Sequence, residues 1–446
     1  MTEPAFPDTL SREDWLRALD RRKILQARGK GHKLRLLWLL LGPRLLVMLG
    51  ENDGPSMVSY ATTGATYGIG FFAPFILATF VMAYVVQEMA LRLGIATSRG
   101  HAKLIFQRFG PFWGYFAMGD LVIGNLLTLV TEFIAIQAGG LYFGIKPWES
   151  VVAAIIIMIA SLGFRRYALW ERALMLFALG NLLFVPAALL AHPDGAALAH
   201  ALVTWGPLQG GYGHVFFTLV LANIGATVTP WMIFFQQSAV VDKGLTRADL
   251  GQGRIDTALG ATLAAIVALA ALVACATLFK AHVDISQFAS GANFAQALQP
   301  LIGSTGASLF ALGLIEAGLL AAMTISASSS YAFAEIASAR HSLNLDFTQG
   351  SLFFGVAILS ILIAGGIVLI PGAPLLALTL TVNVIATLLM APALLFLLLL
   401  VNDREIMLDL ANGRWTNVAG GSIVIAITLM GALYGLLTIF PGLFGT

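Results

Sequence analysis

Residues 45–57 read Leu-Leu-Val-Met-Leu-Gly-Glu-Asn-Asp-Gly-Pro-Ser-Met, and this stretch interrupts the first long apolar run of the chain. Gly54 and Pro55 cannot continue a regular helix, because glycine is conformationally loose and proline lacks an N–H and clashes with the preceding turn. A second interrupted run, residues 222–231, reads Ala-Asn-Ile-Gly-Ala-Thr-Val-Thr-Pro-Trp. The sequence therefore predicts two helices that are each broken near the middle.

The composition excludes a water-soluble protein. Of the 446 residues, 58% are hydrophobic and 11% are charged, whereas a soluble domain carries about 25% charged residues. The 25 basic and 23 acidic residues nearly cancel, so nothing supports nucleic-acid binding. The one cysteine, Cys275, excludes a disulfide framework and a cysteine-based metal cluster. The chain is predicted to be an integral membrane protein.

The apolar runs predict the number of membrane helices, since a bilayer core needs about 20 apolar residues per helix. The first 35 residues are too basic to qualify and are interpreted as a cytoplasmic, partly amphipathic tail. Eleven candidate spans follow, at 38–66, 69–92, 113–142, 149–164, 169–191, 214–241, 256–279, 306–335, 349–371, 374–401 and 417–441. Basic residues concentrate in every second loop, which places the N-terminus inside and the C-terminus outside a cell membrane.

The two breaks occupy matching places in two sets of five helices, because they open the first and the sixth span. Five is odd, so the second set enters the membrane in the opposite sense to the first, as in an inverted repeat. We predict an all-α, leucine-transporter-like fold with broken helices 1 and 6. Its parts are a basic tail (1–35), repeat 1 (36–200), repeat 2 (201–401), and an inner loop with helix 11 (402–446).

Asp53 stands in the first break and carries the functional prediction. An ionised carboxylate at the membrane centre is costly unless it is paired or solvated, and neither break contains a lysine or arginine. Unwound backbone at this depth is tolerated where it lines a cavity or binds something, and its freed carbonyls suit cations. A bound cation therefore explains Asp53 better than an anionic substrate does. The alternative is a proline-kinked helix in which backbone N–H groups satisfy Asp53.

Several segments resemble the NRAMP divalent-metal transporters. Residues 87–97 are similar to the family's Gln…Leu-Gly-Ile-Val-Thr segment, residues 131–134 to its helix-three Glu-Val-Ile motif, and residues 225–230 to its helix-six Gly-Ala-x-x-Met-Pro motif. The family's helix-one signature Asp-Pro-Gly-Asn is replaced by Asp-Gly-Pro-Ser at residues 53–56. The resemblance implies a metal transporter of this fold, and its departures are informative about the metal.

The departures favour a harder ion than the family's usual manganese or iron. Thr229 stands where the family has a methionine thioether, and Ser56 stands where it has a longer asparagine. Hard oxygen ligands suit Mg²⁺, which keeps several waters, whereas a soft sulfur favours transition metals. The pattern resembles the NRAMP-related magnesium transporter branch. The expected ligand region comprises Asp53, Gly54, Ser56, Asn223, the Ala226 carbonyl and Thr229, and the transported ion is expected to be Mg²⁺, with Mn²⁺ as the alternative.

The resemblance also bears on proton coupling. The two helix-six histidines that the family uses are replaced by Trp231 and Gln236, and the acid one turn before Glu132 is replaced by Leu129. None of these replacements titrates near neutral pH. Acids remain within other predicted helices, at Asp120, Glu132 and Glu316, so a proton relay is weakened rather than excluded. We predict uptake that is not coupled to protons.

Three other functions stay open at this point. The first is proton-coupled Mn²⁺ or Fe²⁺ transport by the same fold, and the second is amino-acid symport on the same scaffold. The third is an intramembrane enzyme or receptor, for which the serine-rich run 326–330 lacks a histidine at matching depth. We expect a transporter with no cofactor, no nucleic-acid partner and no obligate protein partner.

Overall fold

The computed structural model describes residues 12–30, 42–206, 211, 213–372 and 374–439, and every regular element in this part is helical. The first half contains α1 (Arg12–Gly29), α2 (Pro43–Gly50), α3 (Gly54–Tyr67), α4 (Phe72–Thr97), α5 (His101–Phe109), α6 (Pro111–Tyr142), α7 (Pro147–Leu162), α8 (Tyr167–Phe177), α9 (Phe184–Leu190) and α10 (Gly195–Thr204). The second half contains α11 (His214–Gly225), α12 (Pro230–Asp242), α13 (Leu250–Lys280), α14 (Gly291–Ile336), α15 (Ser351–Val368), α16 (Leu375–Asn402), α17 (Arg404–Met407) and α18 (Arg414–Ile439).

Each of the eleven predicted spans has a helical counterpart. Within the described ranges, nine helices are long and apolar enough to cross a bilayer. The first predicted span consists of the two short helices α2 and α3, and the fourth is the shorter apolar helix α7. The fifth span is α8 and α9 joined by a 3-10 turn, Ala178–Leu183. The eighth run is the later part of α14, whose backbone departs from helical geometry at Gly303.

Both predicted breaks are present, and local chemistry accounts for them. Three non-helical residues separate α2 from α3, and the Asp53 side chain closes the gap by accepting a hydrogen bond from the Ser56 N–H at 2.8 Å. Pro55 and Pro230 lie in the first turn of α3 and of α12. A missing N–H costs nothing there, because the first N–H groups of a helix have no intrahelical acceptor.

Small residues hold the broken helix against its neighbours. The half-helix α3 packs along α13, and α6 packs along α14. A Cβ atom on Gly64 would lie 2.2 Å from the Leu272 carbonyl oxygen, and one on Gly318 would lie 2.9 Å from the Glu132 carbonyl oxygen. Glycines at membrane helix interfaces permit such close backbone approach. The breaks are therefore fixed by rigid packing on both sides.

The predicted basic tail contains helix α1, while residues 1–11 and 31–35 of that tail lie outside the described residues. Leu19 and Ile24 of α1 are buried, and Ile24 belongs to a cluster with Leu91, Ile95, Val240 and Leu245. The Arg21 guanidinium lies 2.5 Å from the Asp249 carboxylate. The apolar side of α1 thus packs on the body of the protein.

Buried ion pairs connect the broken helices to their neighbours at the predicted inner end. Arg44 of α2 is 1% exposed and lies 2.9 Å from Asp256 of α13. Lys243, just after α12, lies 2.9 Å from Glu171 of α8. Removing one partner of a buried pair is strongly destabilising, because the remaining charge stays away from water. These contacts tie the predicted inner ends of both broken helices to their neighbours.

We expect Arg44→Met to lower the free energy of unfolding by about 3–5 kcal/mol, because the buried Asp256 carboxylate loses its nearest cation. Thermal unfolding of the detergent-purified protein measures the change. The control is Arg247→Met, which removes an exposed ion pair with Asp409 and should cost less than about 1 kcal/mol. A melting temperature that falls no further for Arg44→Met than for the control would contradict the expectation.

Candidate metal site

The two helix breaks touch each other in the interior of the protein. The Thr229 hydroxyl, in the second break, donates a hydrogen bond to Glu51 Oε1 in the first break at 2.6 Å. The Tyr60 hydroxyl of α3 donates to the carbonyl oxygen of Ala226 at 3.0 Å. All four residues are buried. The unwound segments therefore line one common region, as the inverted-repeat prediction requires.

Asp53 and Ser56 lie together at the start of α3. Asp53 is 1% exposed, and its Oδ1 atom accepts the hydrogen bond from the Ser56 backbone. The alternative interpretation of Asp53 as a capping residue is thus correct for one oxygen. The Ser56 hydroxyl is fully buried and has no hydrogen-bond partner. A buried polar atom without a partner is costly, and an ion with its waters would satisfy this hydroxyl.

The remaining predicted ligand positions divide into two groups. The Ala226 carbonyl lies in the second break and, although Tyr60 occupies one side of it, a carbonyl oxygen has a second lone pair. The Gly54 N–H donates to Glu132 Oε2 at 3.0 Å, which brings α6 against the break. Asn223 instead lies one turn before the second break. Its amide nitrogen donates to Thr63 Oγ1 at 2.7 Å, linking the two broken helices.

Glu51 is the residue that the sequence reasoning missed. It lies two residues before Asp53, it is fully buried, and its Oε2 atom has no hydrogen-bond partner. Its charge interacts with those of Asp53 and Glu132. The available signal was a second acid inside the same Gly- and Pro-interrupted stretch, in a chain with few acids at membrane depth.

The carboxylates near the breaks do not by themselves form a complete set of metal ligands. Among the described residues, no three histidine, cysteine, aspartate or glutamate side chains are grouped so as to hold a metal ion. An ion at the breaks would therefore take part of its coordination from the Ala226 carbonyl, from hydroxyls and from water. Such an oxygen-rich, partly hydrated environment is typical of hard divalent cations.

A sulfur atom lies beside the second break even though Thr229 replaces the methionine of the family. Thr229 itself carries no sulfur, but the thioether of Met232, one turn into α12, lies 3.4 Å from the Thr229 backbone nitrogen. Its sulfur accepts from the Thr229 N–H, so the thioether is turned back onto its own helix. The sequence shows that residue 229 is a threonine, but it does not show in which direction the side chain of Met232 points.

The positions linked to proton coupling are buried and neutral. Trp231 packs against Gly50 and Phe235, and both polar atoms of the Gln236 amide lack partners. Leu129 is buried on α6 one turn before Glu132. A histidine, His101 of α5, does pack on α12, with its Nδ1 atom 3.1 Å from Gln237 Oε1. Burial lowers the pKa of His101 to about 4, so this imidazole is neutral at physiological pH.

Comparison with known proteins decides the family. The profile described as natural resistance-associated macrophage protein-like, Nramp, matches residues 44–438. The chain belongs to the Nramp family. This membership confirms the predicted resemblance to the family, though not to its magnesium branch, and confirms that the chain is a transporter of this family and not an enzyme.

Sequence relatives and solved structures of other proteins are similar to this Nramp-family chain. The divalent metal cation transporter MntH of Yersinia enterocolitica is 29% identical over 303 residues, covering 64% of this chain and 70% of the relative. MntH of Pectobacterium carotovorum is 26% identical, covering 87% and 92%. The manganese transporter of Eremococcus coleocola superposes with a TM-score of 0.74 at 19% identity, covering 93% and 90%. MhsT, solved in complex with L-phenylalanine, superposes with a TM-score of 0.61 at 14% identity, covering 88% and 97%, and confirms the broader leucine-transporter-like fold.

We expect Gly54→Ala to disrupt the site of this Nramp protein, because the new Cβ atom would lie 2.2 Å from the Ala135 Cβ and 3.2 Å from Glu132 Oε2. Overpacking of this kind costs about 1–3 kcal/mol and pushes α6 away from the break. Divalent-ion binding by the purified protein measures the effect. Gly119→Ala is the control, since nothing lies within 4 Å of its Cβ position. Equal ion affinity for both variants would contradict the expectation.

Proposed function

We propose that this Nramp-family chain is a divalent metal cation transporter that carries Mg²⁺ through the site at its two broken helices. The observation that supports magnesium most directly is the ligand chemistry at Ser56 and Thr229, which present hydroxyl oxygens where the family resemblance leads one to expect an amide and a thioether. Mg²⁺ prefers oxygen ligands and keeps several of its waters. The unpartnered Ser56 hydroxyl is suited to accept or donate a hydrogen bond to such a water.

The charge of the region supports a cation over an anionic substrate. Glu51 and Asp53 lie in the first break, and neither break contains a lysine or arginine. The carboxylate of a free amino acid would meet negative charge there, and a low-dielectric interior strengthens that repulsion. Amino-acid symport, which the shared fold with MhsT would allow, is therefore disfavoured by the site.

Transport need not be coupled to protons. At Trp231, Gln236 and Leu129 the chain has no side chain that titrates near neutral pH. The membrane potential alone is sufficient, because moving two charges through 100 mV is worth about 4.6 kcal/mol, or roughly a 2,000-fold accumulation at equilibrium. We propose a voltage-driven uniporter in the cell membrane, with the N-terminus on the cytoplasmic side, as the loop charges indicate.

Proton-coupled Mn²⁺ transport is the second candidate. The Met232 thioether near Thr229 favours it, because reorientation of this flexible side chain could offer a soft ligand to a transition metal. The relatives are named divalent metal cation transporters, and one solved neighbour is named a manganese transporter. Measurement of ion preference separates the two candidates.

In proteoliposomes, we expect Mn²⁺ to inhibit Mg²⁺ uptake by the wild-type protein only weakly. Thr229→Met should shift the preference toward Mn²⁺, because it adds a thioether to the break. Asp53→Ala should abolish uptake and defines the background. The measurement is the rate of Mg²⁺ uptake under competition with Mn²⁺ and Ca²⁺. An unchanged Mg²⁺/Mn²⁺ preference in Thr229→Met would refute the softness argument.

Uniport predicts that Mg²⁺ entry does not acidify the vesicle lumen, since no proton accompanies the ion. The test loads proteoliposomes with a pH-sensitive dye, clamps the membrane potential inside-negative with a potassium gradient and valinomycin, and adds Mg²⁺ outside. Uptake should increase with the potential while the dye signal stays constant. Acidification that requires both the protein and Mg²⁺ would overturn uniport and favour the proton-coupled candidate.

A further inference from the structure

Glu51 has no role assigned by the motifs that predicted the site, and its surroundings are unusual. It is a fully buried carboxylate at membrane depth, in the unwound segment between α2 and α3. Its Oε1 atom accepts from the Thr229 hydroxyl at 2.6 Å, and its Oε2 atom has no hydrogen-bond partner. A hydrogen bond from a neutral hydroxyl offsets only a small part of the free energy that is lost when an ionised carboxylate is removed from water.

The buried cations at the predicted inner ends of the two broken helices pair with other acids. Arg44, on the helix that leads into the break, lies 2.9 Å from Asp256. Lys243, beyond the far end of α12, lies 2.9 Å from Glu171. The charges that do interact with Glu51 are those of Asp53 and Glu132, which are also negative. Like charges in one buried region repel each other, and a divalent cation between them would remove that repulsion.

We propose that Glu51 is a second carboxylate ligand of the transported divalent ion, acting with Asp53 across the first break. This inference rests on the proposed function only in that a divalent ion is carried. Two carboxylates carry as much charge as the ion, and their attraction for it lowers the cost of holding Mg²⁺ at membrane depth. The Thr229 hydrogen bond holds one oxygen of Glu51 in place, and the unpartnered Oε2 atom is left for the ion or its waters.

The geometry also assigns Thr229 a second task. Its hydroxyl proton is committed to Glu51 and its oxygen accepts from the Met232 backbone N–H in the capping box of α12, so one lone pair remains to accept from a water of the ion. Thr229 is thereby a positioning residue for Glu51 as well as a contributor of oxygen. A methionine at this position could not donate that hydrogen bond, so the hydroxyl and the second carboxylate form one unit.

The test is the variant Glu51→Gln, with Mg²⁺ affinity of the purified full-length protein measured by titration calorimetry. The amide oxygen of glutamine still accepts from Thr229, so the change removes charge and keeps the hydrogen bond. We expect Mg²⁺ to bind about 10- to 100-fold more weakly. Without divalent ions, the variant should melt no lower than wild type, because a negative charge beside Asp53 has gone, while the stabilisation produced by Mg²⁺ should shrink.

The matched control is Glu335→Gln. Glu335 is a buried glutamate of α14 whose Oε1 atom accepts from a hydroxyl of α12, Ser238 Oγ, at 2.7 Å. The contact therefore has the same chemistry as the one between Glu51 and Thr229, and its hydroxyl donor Ser238 lies nine residues after Thr229. Substitution of Glu335 should leave Mg²⁺ affinity unchanged. Equal affinities for Glu51→Gln and Glu335→Gln would overturn the inference, as would a melting temperature lowered by Glu51→Gln with unchanged ion affinity, which indicates a purely structural residue.

Two further arms separate this inference from its alternatives. Glu132→Gln tests the other acid near the break, and a loss of affinity there without one in Glu51→Gln would make Glu132 the second carboxylate and overturn the assignment of Glu51. The titrations are repeated with Mn²⁺. Preference of the wild type for Mn²⁺ would refute the proposed magnesium transport, whereas weaker Mn²⁺ binding by Glu51→Gln would still support Glu51 as a ligand.

Discussion

Negative charge buried at the two helix breaks is the constraint on which the rest of the structure depends. Glu51 and Asp53 lie in an interior region with no basic residue in either unwound segment. Such charge is tolerated in a membrane protein when a cation, water or well-placed donors offset it. Asp53 accepts a hydrogen bond from the Ser56 N–H, Glu51 from the Thr229 hydroxyl and Glu132 from the Gly54 N–H. A transported cation would offset the negative charge that these donors do not.

The surrounding helices hold these breaks in place by close packing. Glycines bring α3 against α13 and α14 against α6, so the helices around the breaks are close-packed. Polar side chains also link the two broken helices, as the Asn223 amide does by donating to Thr63. At the predicted inner end, buried basic residues pair with acids of neighbouring helices, as Arg44 does with Asp256 and Lys243 with Glu171. The helices around the breaks are closely packed, and the unwound segments contain polar atoms without hydrogen-bond partners.

Much of the fold could be predicted because membrane helices obey local rules. Apolar length set the spans, and Gly54, Pro55 and Pro230 set the breaks through backbone chemistry that needs no tertiary information. The helix α1 was harder to predict, since its basic composition indicated a tail, whereas the burial of Leu19 and Ile24 against the body depends on surfaces contributed by distant parts of the chain. Glu51 was not among the predicted ligands, although it is a second acid in the first break, because its contact with Thr229 joins residues 178 positions apart.

The sequence by itself determined the class of protein, the number of helical spans, the position of both breaks and the presence of Asp53 in one of them. These follow from composition and from the conformational limits of glycine and proline, which act within a few residues. The tertiary structure alone decided that Thr229 meets Glu51, that Met232 turns its sulfur onto Thr229, and that the Asn223 amide nitrogen donates to Thr63 of α3. Those contacts join residues whose approach depends on how whole helices pack and on the direction of each side chain, and no local pattern encodes either.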